Sequence, residues 1–171
     1  MKMLKKVATG VGLSVLALTL MTSAALAQSN VEVQQTAQAK HTVVDSAGKV
    51  FTYVNKSDAD RHIQAIITKQ KDEVKPLEGN YHATFWEHAG YSGGAFDVRN
   101  GYQWHFVGSW NDKISSIKAS YLGNGLQVFE HSDFNGASLY LAAGSTAHNL
   151  SSYSLRTGVS WNDQISSIKV Y

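Results

Sequence analysis

A nine-residue stretch is written twice in this chain, and no other feature limits the possible fold as strongly. Trp110-Asn111-Asp112-Lys113-Ile114-Ser115-Ser116-Ile117-Lys118 returns as Trp161-Asn162-Asp163-Gln164-Ile165-Ser166-Ser167-Ile168-Lys169, with eight of nine positions identical. Only Lys113 and Gln164 differ. An echo of this fidelity marks a duplicated unit. Asn-Asp is turn chemistry, because both side chains bond nearby backbone and tolerate unusual dihedrals. Ile-Ser-Ser-Ile-Lys then reads as a strand leaving that turn. Each copy sets a carboxylate, an amide oxygen and a hydroxyl within five residues, and oxygens crowded this closely suit a hard cation such as calcium.

The duplication extends upstream. Trp86-Glu87-His88-Ala89-Gly90-Tyr91-Ser92-Gly93 aligns without gaps on Phe129-Glu130-His131-Ser132-Asp133-Phe134-Asn135-Gly136. Each copy carries an aromatic, a second aromatic five residues on, and a glycine two after that. The first echo is offset by 43 residues and the second by 51. The second repeat therefore holds about eight extra residues. We place them within Gly144–Ser160, a Ser-rich stretch that also contains His148 and Arg156.

These residues resemble the βγ-crystallins, and among them the microbial calcium-binding members. The Greek-key signature of that family looks like Trp86…Tyr91…Gly93 and Phe129…Phe134…Gly136. Its calcium signature, Asn/Asp-Asn/Asp-x-x-Ser/Thr-Ser, is matched by Asn111–Ser116 and Asn162–Ser167. The resemblance covers residues 82–171, about half the chain. It implies an all-β fold, a β-sandwich of two paired Greek keys, in a βγ-crystallin-like domain over residues 81–171.

Calcium takes six to eight oxygens, more than one six-residue loop supplies. The resemblance implies that each loop is completed by a main-chain carbonyl from the first hairpin of the other repeat. Asp112 and Ser115 would then give side chains, Lys113 its carbonyl, and Glu130 its carbonyl from across the pair. The mirror site would use Asp163, Ser166, Gln164 and Glu87. Asn111 and Asn162 would either brace the loops or ligate. Two Ca²⁺ per chain follow, with micromolar to submillimolar affinity, since each site offers one formal carboxylate side chain. The sites are expected to be unequal, because Lys113 adds a cation where the other loop has Gln164.

The chain opens with Lys2, Lys5 and Lys6 before an apolar run from Val11 to Met21, and Ala25-Leu26-Ala27 follows. That is the layout of a secretory signal peptide over residues 1–27, cleaved after Ala27. The run is shorter than the roughly 18 residues expected of a bilayer span, so no transmembrane segment is expected after cleavage. The expectation is a secreted protein, extracellular or periplasmic. Removing residues 1–27 takes away three lysines and no acids, so 15 basic and 13 acidic side chains become 12 and 13. No clustered Lys/Arg footprint suggests a nucleic-acid partner. The chain has no Cys, so disulfides cannot stabilise it, and a bound metal is a usual substitute.

Residues 28–40 read as a flexible Gln/Ala/Val-rich leader. Residues 41–80 read as a hairpin plus helix. Thr42–Val44 and Val50–Val54 flank Asp45-Ser46-Ala47-Gly48, and Ser57 is the expected N-cap of a helix with an Ile63, Ile66, Ile67 and Val74 stripe, stopped by Pro76. Beyond Tyr81 lie all four Trp and short alternating runs. Strands are predicted at Thr84–His88, Ala95–Arg99, Tyr102–Phe106, Ile114–Ser120, Leu126–His131, Ser138–Ala142 and Ile165–Tyr171, with one more in the inserted stretch.

No catalytic constellation is evident. His88 and His131 belong to no ligand pair at zinc spacing, Glu87 and Glu130 have no cleft to share, and no Gly-x-Ser-x-Gly elbow occurs. The expected function is that of an exported, non-enzymatic protein whose two calcium ions stabilise the Greek-key domain. Two alternatives stand beside it. One is a secreted metalloprotease inhibitor of the same fold, acting through Gly144–Ser160. The other is a calcium-dependent protein binding glycans or membrane surfaces through Tyr91, Phe134 and Tyr153.

Overall fold

The computed structural model describes residues 40–73 and 82–171. The expected signal peptide, the leader up to residue 39, Val74 and Pro76 lie outside the described residues. Among the described residues twelve strands and one α-helix follow one another. The strands β1 (His41–Val44) and β2 (Val50–Tyr53) form an antiparallel hairpin, and α1 spans Lys56–Glu73. The helix starts one residue before the expected Ser57 cap. The Asn55 carbonyl accepts the N–H groups of Asp58 and Ala59 at 3.2 and 3.3 Å, and the Asn55 amide donates to Asp58 Oδ2 at 3.3 Å. Asn55 is thus the N-cap, a role its short amide suits as well as a serine.

The first repeat gives β3 (His82–His88), β4 (Ser92–Arg99), β5 (Gln103–Trp104) and β6 (Ser116–Lys118). The second gives β7 (Leu126–Phe129), β8 (Ser138–Leu141), β9 (Thr146–Ala147) and, after a short β10 (Ser154–Arg156) and β11 (Val159–Ser160), β12 (Ser167–Val170). One sheet has the order β4-β3-β6-β9 and the other β2-β1-β8-β7-β12-β5. In each repeat the last strand returns beside the first, while the third is lent to the other sheet. This is a Greek-key β-sandwich of two motifs with exchanged third strands. The ladders repeat the sequence echo. Trp86 faces Ser116 and Phe85 faces Ile117, as Phe129 faces Ser167 and Val128 faces Ile168.

Exchange explains why β5 is shorter than Tyr102–Phe106. At a sheet edge it pairs only with β12, through Trp104–Ile168 and Gln103–Lys169. Between the sheets lies a core that includes Phe85, Ile117, Leu126, Leu139, Trp161 and Ile168, all fully buried. The six-stranded sheet also buries its outer face. Leu139 and Leu141 point into the sandwich, whereas Tyr140 and Ala142 pack with Val43, Ala59, Ile63 and Ile67 beneath α1. Alternation with period two sends successive side chains to opposite faces, so β8 is buried on both. The hairpin and helix are part of the same body: β1 runs parallel to β8, with His41 opposite Ser138 and Val44 opposite Leu141.

Candidate metal centre

The second serine of each Ser-Ser pair fastens a folded hairpin. Ser116 Oγ donates to His88 O at 2.7 Å and accepts the Tyr91 N–H at 3.1 Å. Ser167 Oγ does the same with His131 O at 2.6 Å and Phe134 N at 3.1 Å. The hairpins need their glycines. Gly93 and Gly136 have φ of 80° and 77°, and a Cβ on either would come within 2.8 Å of the His88 or His131 ring. The two histidines are exposed and pack over these glycines. Lys118 lies 4.2 Å above the Tyr91 ring and Lys169 4.1 Å above Phe134, so the repeated lysine caps the repeated aromatic. Those aromatics are half-buried.

The first serines of the two pairs differ: Ser115 turns toward the other repeat, and Ser166 toward the first hairpin of its own. Asp112 and Asp163 hold φ of 56° and 55°, the left-handed conformation that Asp tolerates better than most residues. Their loops lie against each other: Asp112 N donates to Ile165 O at 3.4 Å and Asp163 N to Ile114 O at 3.1 Å. Ser115 Oγ donates to Asp163 Oδ1 at 3.1 Å, and Ser166 Oγ to Glu130 O at 2.9 Å. Ser115 is therefore joined to Asp163 of the opposite loop rather than to Asp112. Ser166 meets, within its own repeat, the Glu130 carbonyl that the resemblance implied for the Asp112 loop. One pair of oxygens thus spans the two loops, and the other joins a loop to the first hairpin of the same repeat. In both copies the Asn amide donates to Oδ2 of the next Asp at 2.7 Å, so Asn111 and Asn162 brace the carboxylates. Bracing leaves Asp163 Oδ1 aimed at Ser115.

Around the first pairing is an open cleft of about 200 Å³ lined by Glu87, His88, Asp112, Lys113, Ser115 and Asp163. Gln164 sits beside it in sequence and donates its amide to Asp163 O at 2.7 Å. The second pairing has a different wall. Glu130 is 8 % exposed, and its carboxylate is paired with the Arg156 guanidinium. Burial pushes the Glu130 carboxyl up, but the Arg156 guanidinium and the Ala137 N–H outweigh it and hold it below its ordinary value. Arg156 belongs to the inserted stretch, which is packed rather than projecting. Leu150 and Leu155 are fully buried, and Leu150 N donates to Ser115 O at 2.9 Å.

The donor chemistry fits a hard cation. Hydroxyl, carboxylate and carbonyl oxygens are what Ca²⁺ accepts, and oxygens about 2.4 Å from one ion and some 80° apart are themselves about 3 Å apart. Ser115 Oγ with Asp163 Oδ1, and Ser166 Oγ with Glu130 O, have that spacing. Asn111 Oδ1 is a buried acceptor without a partner in the same loop. Among the described residues no three His, Asp or Glu side chains converge at metal-binding distance. A site here must therefore draw on hydroxyls and main-chain carbonyls.

No protein-family model matches the chain, and no curated protein does. Among solved structures it is similar to a βγ-crystallin from Ciona intestinalis at 22% identity, covering 53% of this chain and 99% of that one, with a TM-score of 0.43. A βγ-crystallin from an archaeon is 23% identical over 54% of this chain and all of its own, also with a TM-score of 0.43. A βγ-crystallin domain from Flavobacterium johnsoniae is 23% identical over 51% of this chain and 90% of its own, with a TM-score of 0.38. The topology of the described residues is a Greek-key β-sandwich with a preceding hairpin and helix, and these three solved structures are βγ-crystallins.

Proposed function

We propose that this is an exported, non-enzymatic calcium-binding protein whose paired loops hold two Ca²⁺ and whose fold the ions stabilise. The observation that carries the reading is the pairing of oxygens at the duplicated loops, Ser115 with Asp163 across the repeats and Ser166 with Glu130 O within the second. One site would draw on Ser115, Asp163 and the Glu87 carbonyl, with main-chain carbonyls at Lys113 or Gln164. The other would draw on Ser166 and the Glu130 carbonyl, with Asp112 supplying the carboxylate by the symmetry of the repeats. Calcium supplies an electrostatic tie between the two Greek keys. The chain's part is to present its oxygens without rearrangement. Left-handed Asp112 and Asp163 aim the carboxylates, the Asn amides hold their outer oxygens, and Ser116 and Ser167 fix the hairpins.

With no disulfide available, the ion's contribution matters. Calcium at about 100 times its dissociation constant adds roughly 2.7 kcal/mol per site, against a total stability of about 5–15 kcal/mol for an ordinary domain. Isothermal titration of chelator-stripped protein should give two sites. Melting followed by Trp fluorescence should move up strongly in calcium and much less in magnesium, which demands a smaller octahedral shell. A flat titration at millimolar calcium, with equal melting in calcium and chelator, refutes the proposal.

A further inference from the structure

The two halves of the centre are built alike except on one side. Glu87 and Glu130 occupy equivalent positions in the repeats, yet their carboxylates meet different surroundings. Glu87 borders the open cleft with Lys113. Glu130 is buried, its Oε1 paired with Arg156 and its Oε2 accepting the Ala137 N–H at 3.4 Å. Its backbone is fixed as well, with N donating to Ala137 O at 3.1 Å and O accepting Ser166 Oγ at 2.9 Å. Arg156 reaches Glu130 because it sits on β10, whose pairing with β11 through Ser154–Ser160 and Arg156–Val159 makes a small hairpin. That hairpin lies in the Gly144–Ser160 stretch, where the second repeat is eight residues longer than the first. It leads directly into buried Trp161 and the Asn162-Asp163 loop.

We propose that Arg156 is a positioning residue for the Glu130-side site, holding Glu130 so that its carbonyl stays beside Ser166 and making this the tighter of the two sites. The inference rests on the calcium reading above and adds to it which site is stronger and why. A planar guanidinium clamps a carboxylate in a fixed direction, which an ammonium does not. Groups that orient a metal ligand from behind typically contribute 10–100-fold to affinity. Because Glu130 already balances the Arg156 charge, the pair opposes a divalent ion little. Its effect is then on geometry.

Arg156→Lys keeps the charge and removes the fork, so it separates position from electrostatics. In a two-site calcium titration it should weaken the tighter step by about tenfold and leave the other unchanged. Glu130→Gln keeps the ligating carbonyl and should weaken the same step. The double variant should be no weaker than the worse single one, because both changes break one contact. Melting in chelator reports whether each variant is folded, and if Arg156→Lys unfolds, Glu130→Gln alone decides. Wild-type protein that takes up no calcium overturns the calcium reading and this inference together. Two wild-type steps that neither variant moves, or a tighter step after Arg156→Lys, overturn this inference alone.

Discussion

Ser115 donates to Asp163 across 48 residues of chain, so the hydroxyl of one repeat serves the carboxylate of the other. Ser115→Ala and Asp163→Ala should therefore damage the same calcium step, and Ser166→Ala the other. A divalent ion about 2.4 Å from a carboxylate gains roughly 3 kcal/mol even at the dielectric of water. Asp163→Ala should accordingly cost its step on the order of a hundredfold, and Ser115→Ala less. Site-resolved titration of the three variants checks the grouping. Ser115→Ala and Asp163→Ala acting on different steps would return the ligands to separate loops.

Lys113 lines the cleft that holds Glu87, Asp112, Ser115 and Asp163. A cation about 6 Å from a bound divalent ion costs roughly 1.4 kcal/mol even at the dielectric of water. Lys113→Gln should tighten the Glu87-side site about tenfold, and the gain should shrink as salt rises. Affinities that do not respond at low salt would mean the ammonium points away from the site.

The duplicated motifs made the sandwich and the loop positions legible in the sequence, because Asn-Asp turns and alternating strands are local signals. What stayed hidden depends on contacts between distant segments. Nothing in Asn111–Ser116 says that Ser115 will meet Asp163 rather than Asp112. That choice comes from the way the repeats lie against each other, visible in Asp112 N to Ile165 O and Asp163 N to Ile114 O. Arg156 was visible only as a basic residue in a Ser-rich insertion, and its partner Glu130 lies 26 residues away. The hairpin before the repeats had a clear local pattern, yet its parallel seat against β8 has no signature of its own. Burial on both faces of β8 could have been suspected from Ser138-Leu139-Tyr140-Leu141-Ala142, which lacks polar alternation.

Ile63 is 2% exposed beneath the six-stranded sheet, packed in the cluster with Tyr140 and Ala142. Ile63→Ala should cost about 2–5 kcal/mol. All four Trp lie outside the hairpin and helix. Their fluorescence midpoint in urea should nonetheless drop with the variant, together with the loss of helical circular dichroism. Separate transitions would show that α1 melts independently of the sandwich.

His41 is buried, with Nδ1 3.0 Å from Ser138 Oγ. Burial lowers its pKa below 6.5, nearby Lys56 lowers it further, and Asp60 opposes both. The unfolded chain therefore takes up this proton at a higher pH than the folded one. The contribution to stability is complete above pH 6.5 and is lost as pH falls from there toward the folded value, at up to about 1.4 kcal/mol per pH unit. Urea midpoints in chelator at pH 7.5 and 5.5 should show the drop, and His41→Gln should reduce it. An equal drop in the variant would place the titration elsewhere.

The seat of β1 beside β8 also sets an order of events. His41 and Ser138 are 97 residues apart, and between them lies the whole first repeat. A growing chain that has reached only β6 can join β1 to β2 but not to its second neighbour. The earliest strand of the six-stranded sheet thus waits for one of the later ones, and a ladder closed over so long a span forms slowly. Its helix can wind in isolation long before it has a surface to cover. The outer face of the sheet is consequently roofed late, by a segment that was made before either repeat.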